Sequence, residues 1–229
     1  MIAHPDRSVN ATLLLASGSP RRRELIKLLK LPVQTTSADI DETPRPGEAA
    51  DQLAIRLSGA KAQTVSASIT RPAPLILITS DTTVSLDGEP LGKPADAAEA
   101  RRMLTRLRGR VHLVHTAVTL IDVQTDRAVT DLATSPVRMR AYSDEEIERY
   151  IASGDPFDKA GAYAIQHDGF SPADRFDHCF ANVMGLPLCH VTRALRRLGV
   201  EPPADVPSAC QAQLGYRCPV FERILAGEE

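Results

Sequence analysis

The chain has 229 residues, of which 43% are hydrophobic and 24% are charged, a balance typical of one globular domain or of one domain with two lobes. The formal net charge is -2 and only 4% of the residues are aromatic, which disfavours a basic, ring-stacking surface for nucleic acid. Its apolar runs are far shorter than the roughly 20 residues of a membrane-spanning helix, and the first ten residues lack an apolar signal core. We therefore expect a cytoplasmic protein that binds neither membranes nor nucleic acid.

Strand and helix patterns alternate from the start of the chain, which is typical of an α/β protein. Ser19 and Pro20 suit the cap and the first position of a helix. The first predicted elements are a strand over 12–16, a helix from Pro20 to about Lys30, a strand over 33–36 and a loop over 37–47.

The middle of the chain continues this alternation. Pro72 and Pro74 end a long helix, Asp87-Gly88 is a strong hairpin turn, and Asp96 with Glu99 resembles a capping box. The predicted elements are a helix from Ala49 to about Ser68, a strand over 75–79, a hairpin over 84–91 and a helix from Asp96 to Leu107.

Regular patterns become weaker toward the C-terminus. A second capping box, Ser143 with Glu146, opens a helix. The chain from Glu201 onward has four prolines and little periodicity, so we expect it to pack loosely or to be mobile. The predicted elements are strands over 111–121 and 128–140, a helix from Ser143 to Gly154, an irregular region over 155–177 and a helix over 187–198. We predict one two-lobed domain over 1–199 and a C-terminal extension over 200–229.

All four cysteines lie in the last quarter of the chain, and no two form a C-x-x-C pair. The adjacent pairs His178-Cys179 and Cys189-His190 offer metal ligands, but their spacing matches no closed zinc site. Reduced, partly buried thiols are the favoured interpretation.

The segment from Ser17 to Arg22, read SGSPRR, lies at a predicted strand-to-helix junction. Backbone N–H groups at a helix start favour an anion, Gly18 permits close approach, and arginine donors suit phosphate oxygens. The alternative is a basic helix start that faces water, which is unfavourable because positive charge opposes the helix dipole. This segment therefore predicts a phosphate site.

Four further features add chemistry, although each has an ordinary surface explanation. Asp81 follows an apolar strand, where sites gather in α/β sheets, but a lone Asp there is often a turn former. Asp41-Glu42 either offers hard oxygen ligands for Mg²⁺ or Mn²⁺ or is an ordinary acidic surface loop. Lys93 is either a basic group that holds phosphate or a solvated surface charge. The segment 159–166 combines close approach at Gly161 with the amide of Gln166. Together with the phosphate site, these groups indicate phosphoryl transfer or phosphoanhydride hydrolysis.

Several separate segments resemble, in the same order, the motifs of the Maf family, the septum-formation-inhibitor-like nucleoside triphosphate pyrophosphatases. The resemblance covers about residues 12–198. The segments are LLASGSPRRREL over 14–25, Ile40 to Thr43, Lys61-Ala62, Ser80 to Val84, Leu91 to Pro94, Asp158 to Gln166 and Val183 to Leu188.

The resemblance implies hydrolysis of a nucleoside triphosphate to the monophosphate and pyrophosphate, with Mg²⁺ or Mn²⁺ as cofactor and a house-cleaning role. It implies a mixed central sheet flanked by helices, with two lobes around a cleft, similar to inosine triphosphate pyrophosphatases. Members of the family are commonly homodimers.

The same resemblance assigns roles to individual positions. Asp81 is the catalytic proton acceptor, or alternatively a metal ligand, and it shares the metal site with Glu42. The positions that select the base are Arg21, Thr82 and Gln166, and those that line the phosphate region are Ser17, Arg22, Lys61 and Lys93.

Asp-Thr at 81–82 and the segment 162–166 resemble the branch of the family that acts on dTTP and UTP. The chain departs from the family pattern at Ala164 and His167, where Gly is usual, and over 168–180. Two other classes of function compete with the enzyme. One is a nucleotide-sensing regulator of septum formation, and the other is a polynucleotide-binding protein that uses its arginine clusters, which the net charge disfavours.

Overall fold

A computed structural model of the chain describes residues 11–69, 75–167 and 169–228. The N-terminal segment and the predicted helix break at Pro72 and Pro74 lie outside these ranges. Within them, no helix is both long enough and apolar enough to cross a membrane.

The strands form one mixed sheet, as the resemblance to the Maf family implies. Its order is β2-β1-β3-β5-β6, with β4 beside β3; β1 is parallel to β2 and β3, and the other pairs are antiparallel. The strands are β1 (Thr12–Ala16), β2 (Val33–Thr36), β3 (Leu75–Leu86), β4 (Glu89–Leu91), β5 (Val111–Asp122) and β6 (Arg127–Arg138).

Helices flank this sheet, and their caps largely follow the sequence signals. Ser143 and Glu146 form the predicted capping box, whereas Glu99 accepts from the N–H of Ala95 rather than from that of the cap residue Asp96. The helices are α1 (Pro20–Ile26), α2 (Ala50–Ser68), α3 (Ala97–Leu107), α4 (Asp144–Ala152), α5 (Phe180–Val183), α6 (Leu188–Arg197), α7 (Val206–Leu214) and α8 (Phe221–Ala226). Short 3-10 turns cover Lys27–Leu29, Asp155–Asp158 and Ala160–Ala162.

The C-terminal extension is helical, which differs from the loose tail that the sequence predicts. Asp205 caps α7, and Pro207 lies in its first turn, where proline is compatible with a helix. Val206 and Ile224 are buried in the same apolar cluster as α1 and α6. The extension therefore packs onto the domain, and Pro207 marks where α7 begins.

Alternation along β3 divides the interior into separate clusters. The even-numbered residues of β3 face α1 and α6 near Ile78, and they face α3 and α4 near Val84. The odd-numbered residues of β3 face α2 on the other side of the sheet. Ser80 and Thr82 lie between the two apolar clusters of the even side. A polar gap thus separates two lobes that share one sheet.

β3 also differs from its predicted form, because it continues past Thr79 to Leu86. Asp81 therefore lies in mid-strand and not at a strand end. Pairing with β5 runs along almost the whole of β3, which keeps this polar stretch extended. On the other side, β1 pairs with β3 only as far as Ile78, and β4 pairs with it only from Val84 onward. Among the described strands, none covers residues 79–83 on that side, and we call this stretch the open edge of β3.

Candidate active site

The open edge of β3 lines a cleft of about 600 Å³. The β1–α1 junction and α2 contribute to one wall, and the segment after β4 contributes to the other. A smaller cavity of about 170 Å³ adjoins the cleft and shares part of its lining. The predicted residues that line the cleft are Ser17, Arg21, Arg22, Glu42, Lys61, Asp81, Thr82 and Lys93, and Gln166 lines the smaller cavity.

An ion-pair cluster occupies one side of the cleft. The Lys61 Nζ atom lies 2.7 Å from Asp81 Oδ1 and 2.5 Å from Glu42 Oε1. The side chains of Lys61 and Asp81 are only 10% and 9% exposed, whereas that of Glu42 is 47% exposed. One ammonium group therefore brings together the two carboxylates that the resemblance assigns to the metal site.

Hydrogen bonds between α2 and β3 position this cluster. The Thr79 hydroxyl donates to the Ser58 carbonyl at 2.8 Å, and the Thr83 hydroxyl donates to the Ala50 carbonyl at 2.7 Å. Both threonines face the same side as Asp81, one on each side of it along the strand. The helix is therefore fixed against the strand where Lys61 meets Asp81.

Positive charge surrounds Glu42 from several directions. Partial burial tends to raise the pKa of this carboxyl group, but its hydrogen bond and charge contact with Lys61, together with the charges of Lys93 and Arg22, lower it more. The net result is a pKa below the ordinary value. Glu42 is therefore ionised at neutral pH despite its position in the cleft.

Arg22 lies on the side of the cleft opposite α2. Its Nε donates to the Gly185 carbonyl at 2.8 Å, its Nη1 to the Ser80 carbonyl at 2.8 Å and its Nη2 to the Thr82 hydroxyl at 2.9 Å. Protein acceptors thus take three of its five N–H donors, and two remain for a ligand. These two carbonyl groups partly offset the positive charge at the start of α1. The sequence alone does not predict this contact.

The charges around Arg22 link its guanidinium electrostatically to the carboxylates of the cleft. Burial lowers the pKa of its guanidinium, and the charge of Arg21 lowers it further, whereas Asp81 and Glu42 raise it. The group remains a cation, because arginine stays protonated in proteins. Asp81 and Thr82 point to opposite faces of the sheet, yet both reach the cleft, because none of the described strands covers the open edge of β3.

A chain of hydroxyl groups extends from Arg22 into the sheet. The Thr82 hydroxyl accepts from Arg22 and lies 3.0 Å from the hydroxyl of Thr116, which donates to the Asn182 carbonyl at 3.0 Å. Sequence analysis assigns no role to Thr116 or Asn182. No local pattern marks these residues, because their contacts join distant parts of the chain.

Gly185 is a further position to which the sequence assigns no role, although it lies within a resembling segment. Its φ angle is 97°, and a Cβ atom there would lie 3.0 Å from Arg22 Nε and 3.1 Å from Thr82 Oγ1. Glycine is therefore required both by the backbone conformation and by the close approach of Arg22.

The smaller cavity has an apolar wall and a polar rim. Tyr163 and Ile165 form part of the wall, and Gln166, which is exposed, lines the same cavity as Thr82 and Arg21. The Gly161 N–H donates to the Gly92 carbonyl at 3.0 Å, and a Cβ at Gly161 would lie 3.0 Å from Val84 Cγ1. Gly161 thus packs closely against Val84, and its predicted part in the site stays a prediction.

Tyr150 contacts both positions near Gln166 at which the chain departs from the family pattern. The Ala164 N–H donates to the Tyr150 hydroxyl at 2.9 Å, and the His167 ring packs edge-on against the Tyr150 ring at 4.8 Å between centroids. Tyr150 in turn donates to Asp155 at 2.6 Å, and Asp155 contacts Lys159 at 2.9 Å. His167 therefore helps to hold this loop in place through its ring contact with Tyr150.

Glu42 and Asp81 are the two carboxylates that the resemblance assigns to a metal site, and both line the cleft. Across the described ranges, no group of three or more His, Cys, Asp or Glu side chains is placed to hold a metal ion. The metal hypothesis for His178-Cys179 and Cys189-His190 is thus not supported, and no disulfide joins any of the four cysteines. Two carboxylates beside a cleft fit an ion such as Mg²⁺, which takes its other ligands from water and phosphate oxygens.

These features define an α/β protein in which a cleft between two lobes gathers carboxylate, ammonium and guanidinium groups. The chain belongs to the Maf family, since the family model described as Maf-like protein matches residues 12–198. It is 45% identical over 191 residues to the dTTP/UTP pyrophosphatase of Myxococcus xanthus (strain DK1622), a match that covers 83% of this chain and 94% of that protein.

A second relative, the dTTP/UTP pyrophosphatase of Chromobacterium violaceum, is 44% identical over 201 residues, which cover 86% of this chain and 100% of that protein. Among solved structures, the Ham1 protein of Staphylococcus aureus aligns with a TM-score of 0.42 and 16% identity, covering 95% of this chain and 100% of that chain.

Proposed function

We propose that this protein hydrolyses dTTP and UTP to the monophosphate and pyrophosphate, with Mg²⁺ or Mn²⁺ as cofactor. The family membership and the names of its relatives support this activity. The observation that carries it is the buried ion pair of Asp81 and Lys61, in contact with Glu42, in the same cleft as Arg22. As part of the same proposal, the protein acts as a cytoplasmic homodimer in a house-cleaning role.

Hydrolysis at the α-phosphorus requires water to approach a triphosphate that carries several negative charges. Lys61, Lys93, Arg21 and Arg22 line the cleft and neutralise these charges as the pyrophosphate leaves. Ser17, at the end of β1, adds a hydroxyl to the same wall. Asp81 accepts the proton of the attacking water in this proposal.

Glu42 and Asp81 are the residues that would hold the divalent cation. When bound, such a cation shields phosphate charge and lowers the pKa of water, which makes a carboxylate an adequate base. Asp81 acts either as the base or chiefly as a metal ligand, and each of these two roles stays a prediction. In both roles, the contact of its carboxylate with Lys61 positions it at the open edge of β3.

The smaller cavity is where we place the base. Its apolar wall suits a flat ring, and the Gln166 amide both donates and accepts, which matches a ring carbonyl next to an N–H group. Arg21 and Thr82 line both cavities and so lie between the base and the phosphates. This arrangement supports selection of the base by Arg21, Thr82 and Gln166.

The test is pyrophosphate release from a panel of nucleoside triphosphates with Mg²⁺ or Mn²⁺. We expect dTTP and UTP to be preferred, and Asp81→Asn to abolish turnover while the protein remains folded. The matched control is Asp126→Asn in the β5–β6 turn, which removes the same charge far from the cleft and should leave turnover unchanged.

Turnover like that of the unmodified protein in Asp81→Asn would contradict the assignment of Asp81. Release of pyrophosphate from none of the nucleotides would instead favour a nucleotide-sensing regulator of septum formation. Sedimentation at several protein concentrations tests the homodimer.

A further inference from the structure

All four cysteines line one small apolar cavity of about 20 Å³, away from the cleft. Two of them precede residue 199, and the other two, Cys210 and Cys218, belong to the C-terminal extension. The cavity therefore lies where the extension packs onto the domain. The extension follows the residues that match the family model, 12–198.

Cys179 and Cys218 form a pair across this contact. Cys179 immediately precedes α5 and is 7% exposed, whereas Cys218 lies between α7 and α8 and is partly exposed. Both side chains line the small cavity, close enough that a side-chain hydrogen bond between the thiols is the largest influence on the pKa of each. The Cys218 N–H donates to the Gln211 side chain at 3.0 Å, which fixes Cys218 to α7.

The two members of the pair differ in charge. The hydrogen bond with Cys179 and the backbone N–H groups of Val220 and Phe221 lower the pKa of Cys218 to about 6, although burial opposes this. The same hydrogen bond and burial raise the pKa of Cys179 well above its ordinary value. Cys218 is thus the more acidic thiol of the pair, and the thiolate is the reactive form.

We propose that Cys218 and Cys179 are a peroxide-responsive pair that closes to a disulfide between the C-terminal extension and the domain. The Cys218 thiolate attacks one oxygen of hydrogen peroxide, the O–O bond breaks, and the departing hydroxide is protonated to water. The Cys179 thiol then attacks the resulting sulfenic sulfur. The S–O bond breaks, and hydroxide leaves with the thiol proton as a second water. Two thiols are oxidised while one peroxide is reduced.

The position of Cys179 connects this pair with the cleft. Within α5, which follows Cys179 directly, the Asn182 carbonyl accepts from Thr116, and the Gly185 carbonyl just beyond it accepts from Arg22. The disulfide would therefore fasten the extension to the segment that anchors Arg22. The four cysteines are not a metal site, because no metal-binding group of three His, Cys, Asp or Glu occurs among the described residues.

Peptide mapping of the full chain tests the proposal. The protein is treated with a small excess of hydrogen peroxide, alkylated, and digested with trypsin without reductant. Cleavage at arginine separates Cys218, in 218–223, from Cys210, in 198–217, and from Cys179 with Cys189, in 176–193. We expect a peptide that joins 176–193 to 218–223 and that separates on reduction.

Three variants identify the partner. Cys179→Ser should abolish the linked peptide and leave a sulfenic acid on Cys218 that dimedone traps, whereas Cys189→Ser and Cys210→Ser should retain the link. A link that persists in Cys179→Ser, or a peroxide-treated protein with no linked peptide, would overturn the proposal. The readout is a mass, so it is independent of nucleotide hydrolysis.

Discussion

The Lys61 ammonium lies 2.7 Å from the Asp81 carboxylate, and both side chains are at most 10% exposed. A buried ion pair costs desolvation energy, so it stabilises the fold only while both partners are present. Here the pair lies where α2 meets the open edge of β3. The same contact therefore supports the lobes and positions the carboxylate in the cleft.

Lys61→Met should both destabilise the protein and abolish its turnover, because it leaves the Asp81 carboxylate buried without its partner. We expect a loss of about 3 kcal/mol in the free energy of unfolding, measured by urea denaturation. Lys93→Met is the matched control, since Lys93 lines the same cleft but is exposed. It should lower kcat/KM for the nucleotide and leave stability nearly unchanged. Equal stability losses in the two variants would contradict this account.

Gly185→Ala should displace the Arg22 guanidinium, because the new Cβ would lie 3.0 Å from Nε. We expect kcat/KM to fall on the order of 100-fold, as for a small misplacement of a positioned group. Gly199→Ala provides the control, because Gly199 has a φ of +81° with no atom within 4 Å of a Cβ. Both variants bear the backbone strain of about 1–2 kcal/mol, but only Gly185→Ala should lose activity. Parallel losses of activity would show that backbone strain alone is responsible.

The stability of the protein should fall as the pH drops from about 6.5 to about 4. His112 is 2% exposed, its Nε2 lies 2.7 Å from the Tyr163 hydroxyl, and burial lowers its pKa to about 4. Between these pH values the unfolded chain binds a proton that the folded chain does not, which costs about 3 kcal/mol in stability. Burial also lowers the pKa of His115, which adds to the same trend.

Urea denaturation at several pH values measures this effect. His112→Gln should reduce the slope of the free energy of unfolding against pH, and His115 contributes to the residual slope. His178→Gln, at a partly exposed histidine that precedes α5, should leave the slope as it is. An unchanged slope in His112→Gln would show that acid instability arises elsewhere.

Gln166→Ala should change the choice of nucleotide more than the rate of the chemical step. Since the amide lies in the smaller cavity and away from Asp81, we expect kcat/KM for UTP to fall about tenfold, as for one lost hydrogen bond of about 1.4 kcal/mol. The ratio of UTP to CTP turnover is the measurement. Gln124→Ala, at an exposed position in the β5–β6 turn, should leave that ratio unchanged.

Local sequence signals predict much of the fold and most residues of the candidate site. The bounds of β1 and β2, the cap of α1 and the hairpin at Asp87-Gly88 follow from adjacent residues, and the structure confirms them. Short segments with distinct chemistry, such as the one around Arg22, likewise end up in the cleft.

Long-range contacts explain what the sequence does not predict. The polar stretch of β3 stays extended because β5 pairs with it, and α7 and α8 are short helices that depend on packing rather than on periodicity. The Thr82–Thr116 and Thr116–Asn182 bonds join residues 34 and 66 positions apart. No pattern within a segment encodes such partners.

The uncovered stretch of β3 makes this protein unusually sensitive to the length of the chain that precedes it. Because neighbouring strand residues project to opposite faces, slipping β3 by one position against β5 would exchange the carboxylate with the hydroxyl. A single-residue deletion between positions 75 and 80 would then turn the acid toward Arg22 and away from Lys61. Such deletions should be more harmful than any one substitution in the same stretch.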